Sequence, residues 1–164
     1  MGEPEIAVPE VYVQPGEAHL ATAPTIFRTL LGSCVGVIFL APRQGYGALC
    51  HPMLPEFPSK QKGQMSWAQA CRYVDFTIRD MARRFDELGV PRREVQIKLF
   101  GGGDVLLMTG GSTRPTVGKL NCEAAIRVLE EEGLNVVASS LGGTSGLRIQ
   151  VHTGSGEVLL YRLH

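Results

Sequence analysis

The chain has 164 residues, 44% of them apolar and 20% charged, with 16 basic and 16 acidic side chains. That is length enough for a single domain over residues 1–164 with a real core, residues 1–5 forming a flexible tail. Zero net charge leaves no cationic excess to neutralise phosphates, which argues against nucleic acid, and no apolar run reaches the roughly 20 residues of a membrane span.

The acidic start, Met1-Gly-Glu-Pro-Glu5, has no export-signal pattern, and Ile6 removes the weak myristoylation cue of Met-Gly. Cys34, Cys50, Cys71 and Cys122 are scattered, with no C-x-x-C pair. Such spacing suggests reduced thiols in the cytoplasm and argues against zinc. Neither metal nor cofactor is expected.

Ile6 to Val13 alternates loosely, and Pro9 makes it an edge strand. Gln14 to Glu17 is a turn. His19 to Leu31 reads as extended, with Pro24 interrupting it. Val35 to Leu40 is an unbroken apolar run, the mark of a strand covered on both faces. Pro42, Gln44 and Gly45 turn the chain, and Tyr46 to His51 returns as the second arm of a hairpin.

A turn centred between Pro42 and Arg43 sets Cys34 directly opposite His51, with Cβ atoms about 5 Å apart. A thiol beside an imidazole has a specific use. The imidazolium stabilises the nucleophilic thiolate, and the same ring protonates a departing amine. Gly32 and Ser33 permit a tight backbone whose N–H groups face a developing oxyanion. The plain alternative is a buried thiol packed as a small hydrophobe.

Pro52 to Gly63 is a polar, breaker-rich loop. Ser66 is an N-cap. Trp67, Cys71, Val74, Ile78, Met81, Phe85 and Leu88 follow at helical spacing to Gly89, which predicts one continuous helix. Cys71 on that stripe reads as packing. Val95 to Phe100 is a buried strand closed by Gly101-Gly-Gly103; Leu106 breaks a dinucleotide fingerprint there. Thr109 to Pro115 is a loop. Gly118 to Glu132 is a second helix with Leu120, Ala124, Ala125, Val128 and Leu129 as its apolar face, ended by Gly133. Asn135 to Ser140, Leu147 to His152 and Glu157 to Leu163 are strands, the last two joined by a turn at Gly154-Ser-Gly156. His19, His152 and His164 lack comparable context. The order predicts an α+β fold, two main helices packed on a mostly antiparallel sheet system.

Leu31-Gly-Ser-Cys34-Val-Gly-Val with His51-Pro-Met-Leu-Pro55 downstream resembles the CheD family, chemoreceptor glutamine deamidases of bacterial chemotaxis. Lys98-Leu-Phe-Gly-Gly-Gly103, Gly118-Lys-Leu-Asn121 and Leu141-Gly-Gly143 with Gly146 extend the resemblance from about Val11 to Tyr161. Two positions depart from the family pattern: Leu120 and Leu147 stand where the family has Arg. The resemblance implies a layered α/β/β sandwich with a cysteine-hydrolase core like that of the cytotoxic necrotizing factor deamidases. It implies hydrolysis of glutamine side chains on receptor cytoplasmic helices, with Cys34 as nucleophile and His51 as base and acid. A Thr shortly before the Cys orients the ring in the family; Thr29 fits, with Thr25 as the alternative, since Arg28 occupies the position some members use. Gly32, Ser33 and Asn121 are candidates for substrate contact, with fixing a loop the preferred role for Asn121. The implied partners are chemoreceptor cytoplasmic domains and a CheC-type phosphatase. Two other readings remain open: a non-catalytic adaptor for that phosphatase, and another cysteine hydrolase such as a receptor methylesterase.

Overall fold

The strand β4, Val35–Ala41, is buried at every position, and its side chains divide between two cores. Val35, Val37, Phe39 and Ala41 enter a core shared with helices, whereas Ile38 and Leu40 enter a second one against another sheet. Period-two alternation between two apolar environments is why the run lacks polar residues.

The computed structural model describes residues 7–61, 63–104 and 114–163. The flexible tail expected at residues 1–5 and most of the loop expected from Thr109 to Pro115 lie outside them. The remaining strands are β1 (Glu10–Tyr12), β2 (Ala18–Thr22), β3 (Ile26–Leu31), β5 (Tyr46–Cys50), β6 (Gln96–Gly101), β7 (Asn135–Leu141), β8 (Leu147–His152) and β9 (Glu157–Arg162). They form a central sheet ordered β2-β5-β4-β6-β7 and a second ordered β1-β3-β8-β9. Most pairings are antiparallel; β1 with β3 and β6 with β7 are parallel. The helices are α1 (Trp67–Ala70), α2 (Val74–Glu87) and α3 (Val117–Glu131). α2 and α3 cover one face of the central sheet and the second sheet covers the other, giving an α/β/β sandwich. Helix α3 is the crossover of the parallel β6-α3-β7 unit, which brings its first turn against the end of β6. Among the described residues no helix is long and apolar enough to cross a membrane.

The structure corrects three expectations. The hairpin register pairs Val37 with Cys50 and closes at Ala41 and Tyr46, so Gly36, not Cys34, is next in line to face His51. The turn is the four residues Pro42 to Gly45, one step further along than expected. Gly45 closes it with φ +78°, its N–H donating to the Ala41 carbonyl at 2.9 Å.

The helix expected to run unbroken from Ser66 is interrupted. Ser66 caps α1 in a full capping box with Gln69, but Tyr73 is extended, with φ −104° and ψ 131°. The backbone there serves another segment: the Arg72 carbonyl accepts from the N–H groups of Met53 and Leu54, and Val74 N–H donates to Leu54 O at 2.8 Å. The apolar stripe keeps phase across the break, which hides it in sequence.

Leu120, placed on the buried face of the second helix, is 36% exposed, while Asn121 and Cys122 are buried beside Ala124, Ala125, Val128 and Leu129. A polar side chain at the core-facing position is tolerated because it finds hydrogen-bond partners.

Candidate active site

Four segments meet at one edge of the sandwich: the bend 32–34 before β4, the residues after β5, the glycines ending β6, and the first two turns of α3. Each is tied to another by hydrogen bonds.

His51 follows the last residue of β5. Its backbone continues the pairing toward β2, donating to Glu17 O at 2.9 Å and accepting from Gly16 N–H at 2.7 Å. Its side chain falls on the same face as that of Leu49, between the sheets, and is 1% exposed. From β3 on the facing sheet, Thr29 brings its hydroxyl to His51 Nδ1 at 2.7 Å and to the Val13 carbonyl at 2.6 Å. A hydroxyl has one proton. Donating it to Val13 and accepting from an Nδ1–H satisfies all three groups, and this network assigns the tautomer with a bare Nε2. Thr25 is engaged elsewhere, with Thr22 O and with Thr153. Of the two threonines, Thr29 is the one that holds the ring.

Cys34 is half-buried and packs against the inter-sheet core, whereas Cys50, Cys71 and Cys122 are buried. The register is offset from the expected one by two residues, and an even offset keeps side chains on the same face. Cys34 and His51 lie just outside the paired residues, one before Val35 and the other after Cys50, and continuing the register offsets them by two positions on a shared face. The position between them, Gly36, has no side chain. Among the described residues no hydrogen bond joins sulfur and ring in this structure.

The bend carrying Cys34 is braced from behind. Gly102 N–H donates to Cys34 O at 2.8 Å and Gly103 N–H to Gly32 O at 2.9 Å. Only glycine serves at 102: φ is +64°, and a Cβ would lie 2.1 Å from Cys122 Sγ. Gly118, in the first turn of α3, abuts the same backbone, where a Cβ would meet Gly103 O at 2.4 Å. The backbone N–H of Ser33 finds no protein acceptor among the described residues, and that of Cys34 faces its own sulfur. They are the donors available to an oxyanion, and Ser33 itself is exposed.

Asn121 is fully buried. Its carboxamide donates to Ser33 O at 2.9 Å and to Met53 O at 3.0 Å, so one side chain links the residue before Cys34 to the residue two after His51. With both N–H groups committed, Asn121 has none left for a substrate. Its Oδ1 is buried and unpaired. Linkage of the two loops is thus the role its contacts fit.

The expected imidazolium–thiolate pair is opposed by burial. Desolvation pushes the Cys34 thiol above its ordinary value, though its own backbone N–H partly offsets this. Desolvation lowers His51 to about 4, against smaller upward pulls from the Val13 carbonyl and Glu17. The resting pair is a neutral thiol beside a neutral base.

Of the other histidines, His19 contacts Glu17 at 3.4 Å and His152 contacts Gln150; neither hydrogen-bonds Cys34, His51 or Thr29, and His164 lies outside the described residues. Leu147, where an Arg was the family expectation, is buried and pairs with Leu31. Sequence reasoning missed the Val13 carbonyl, a backbone group with no residue signature.

The profile of the family described as CheD chemotactic sensory transduction matches residues 53–162. The chain is 43% identical over 157 residues to the probable chemoreceptor glutamine deamidase CheD 2 of Geobacter sulfurreducens, covering 96% of this chain and 92% of that protein. It is 36% identical to the probable chemoreceptor glutamine deamidase CheD of Maridesulfovibrio salexigens, covering 93% and 91%. Among solved structures, the Bacillus licheniformis hypothetical protein YfiH is similar at a TM-score of 0.47 and 11% identity, over 75% of this chain and 49% of that one. Identity at this level across nearly the whole of both sequences, with the profile match, leaves one conclusion: the chain belongs to the CheD family.

Proposed function

We propose that this protein deamidates glutamine side chains on chemoreceptor cytoplasmic helices, working in the cytoplasm. The observation that carries the reading is the bond His51 Nδ1–H donates to the Thr29 hydroxyl, which itself donates to Val13 O; this leaves Nε2 as a free base on the face it shares with Cys34. In the proposed reaction His51 Nε2 takes the thiol proton as Cys34 Sγ attacks the carboxamide carbon. The oxygen of that carboxamide gains charge against the N–H groups of Ser33 and Cys34. The C–N bond then breaks, the ring's proton passes to the nitrogen, and ammonia leaves a thioester. Water, deprotonated by His51, attacks the thioester carbon. Glutamate is released and the thiol recovers its proton.

Because burial holds both groups neutral at rest, proton transfer accompanies attack instead of preceding it. An offset Cys–His relation requires the thiol rotamer, or the 32–34 bend, to close the remaining distance when substrate is bound. The product is a receptor helix with one more negative charge. A CheC-type phosphatase that covered the same mouth would compete with the receptor.

The test is to incubate the protein with receptor cytoplasmic fragments and read glutamine-to-glutamate conversion by mass spectrometry. Conversion is expected with the intact protein and absent from Cys34→Ala and His51→Ala. Full conversion by Cys34→Ala removes Cys34 as nucleophile. Absence of conversion by the intact protein, with tight binding to a phosphatase, supports the adaptor instead.

A further inference from the structure

The segments that brace the bend carrying Cys34 expose several apolar side chains among their polar ones. Met53 is 37% exposed, Leu54 42%, Val117 45% and Leu120 36%. Single exposed apolar side chains are ordinary; several bordering one functional loop are not. These four belong together because Asn121 joins their segments: it sits beside Leu120 on α3 and hydrogen-bonds Met53 O and Ser33 O.

The patch has a shape. Val117 and Leu120 are three residues apart, on one face of α3. Beyond Leu120 a groove of about 330 Å³ lies between α3 and the loop at Pro55 and Glu56. An Arg127–Glu56 ion pair at 3.4 Å marks its charged margin, and Glu123 also borders it. An apolar centre with a charged border is the anatomy of a protein contact surface. A ridge of spaced aliphatic side chains beside a groove suits an amphipathic helix, whose own apolar residues recur every three or four positions.

We infer that Val117, Leu120 and Leu54 form the docking surface for the substrate helix, and that they select glutamines with an aliphatic residue one or two turns away. This rests on the deamidase reading above and gives that site its specificity element. Binding at the rim, away from the reacting atoms, carries the glutamine to Cys34. The residues themselves touch neither sulfur nor ring.

The test compares Leu120→Glu, Val117→Glu and the milder Leu120→Gln with the unaltered protein, thermal melts showing each is folded. Each is given a receptor cytoplasmic coiled-coil fragment and a short unstructured glutamine peptide. The Glu variants are expected to lose at least tenfold in kcat/KM on the fragment, mostly in KM, and less than twofold on the peptide. In a Cys34→Ser background, Kd for the fragment is expected to rise at least tenfold. Unchanged Kd and kcat/KM in the Glu variants overturn the surface. Equal losses on fragment and peptide overturn it too, since the rim would then act on the chemistry. If the unaltered protein converts no glutamine yet Kd still rises in the variants, the deamidase reading fails and the docking surface stands.

Discussion

Replacing Thr29 by Val keeps the shape of a buried, β-branched side chain and removes only the hydroxyl. That oxygen now serves the Val13 carbonyl at 2.6 Å and His51 Nδ1 at 2.7 Å, at 1% exposure. Two orphaned buried groups would cost about 1–3 kcal/mol each. The Val13 carbonyl already lies near enough to raise the pKa of the ring, so a modest turn of the imidazole lets Nδ1–H donate to it directly. Repairing one bond that way caps the loss of stability at about 1–2 kcal/mol. The same turn changes where Nε2 is aimed, and every 1.4 kcal/mol of lost transition-state stabilisation is about tenfold in rate. Thr29→Val is therefore expected to fall roughly 100-fold or more in kcat while unfolding only slightly earlier in urea. Thr29→Ser, which keeps the oxygen, should recover most of the rate. The assay is single-turnover deamidation followed by mass spectrometry, beside equilibrium unfolding of each variant. Wild-type turnover by a destabilised Thr29→Val protein would refute the reasoning, because the hydroxyl would then hold the fold and not the base.

Three further outcomes are expected. His51 is depressed from 6.5 to about 4 in the folded protein, so between those pH values the unfolded chain binds a proton that the folded one refuses. Its neutral form costs nothing above pH 6.5, and stability falls as pH drops toward 4 by up to about 3 kcal/mol; urea midpoints from pH 7 to 4 should fall less steeply in His51→Gln. Iodoacetamide should label Cys34 ahead of Cys50, Cys71 and Cys122 because it is the half-exposed thiol, with a rate still climbing at high pH since burial raises its pKa; a rate plateau near neutrality would restore the thiolate–imidazolium pair. Gly102→Ala, which forces a Cβ to 2.1 Å from Cys122 Sγ and 2.9 Å from Gly118 O at φ +64°, should cost about 2–4 kcal/mol and abolish activity, and adding Cys122→Ala should relieve the contact with sulfur but neither the one with the Gly118 backbone nor the backbone strain.

Most strands and the two main helices were legible because they depend on local periodicity. The apolar run of β4 announced two covered faces, and the four-strand second sheet supplies the second cover. Register was not legible. It turns on whether Gly45 closes the loop in the left-handed region, and both turn placements use the same breaker residues. The error was an even number of residues, so Cys34 and His51 stayed on one face while ceasing to be opposite. The break at Tyr73 was hidden for a different reason: its hydrogen-bond partners are Met53 and Leu54, a distant segment with no trace in the helix's own pattern.

That hidden break and the misplaced Leu120 belong to one physical account of the site. The backbone after His51 cannot pair with β2 beyond its end, so it needs other partners if the base is to stay fixed. The interrupted helix supplies them through the Arg72 carbonyl, and Asn121 supplies another through Met53 O. For Asn121 to reach inward, α3 must turn that second-turn polar position toward the core, and the rotation carries Leu120 out to solvent. A strictly apolar α3 face would bury Leu120 and leave Ser33 O and Met53 O without that donor. The departures from ideal helix patterning thus fall at the two places where helices give up regularity to hold the Cys34 and His51 segments against each other.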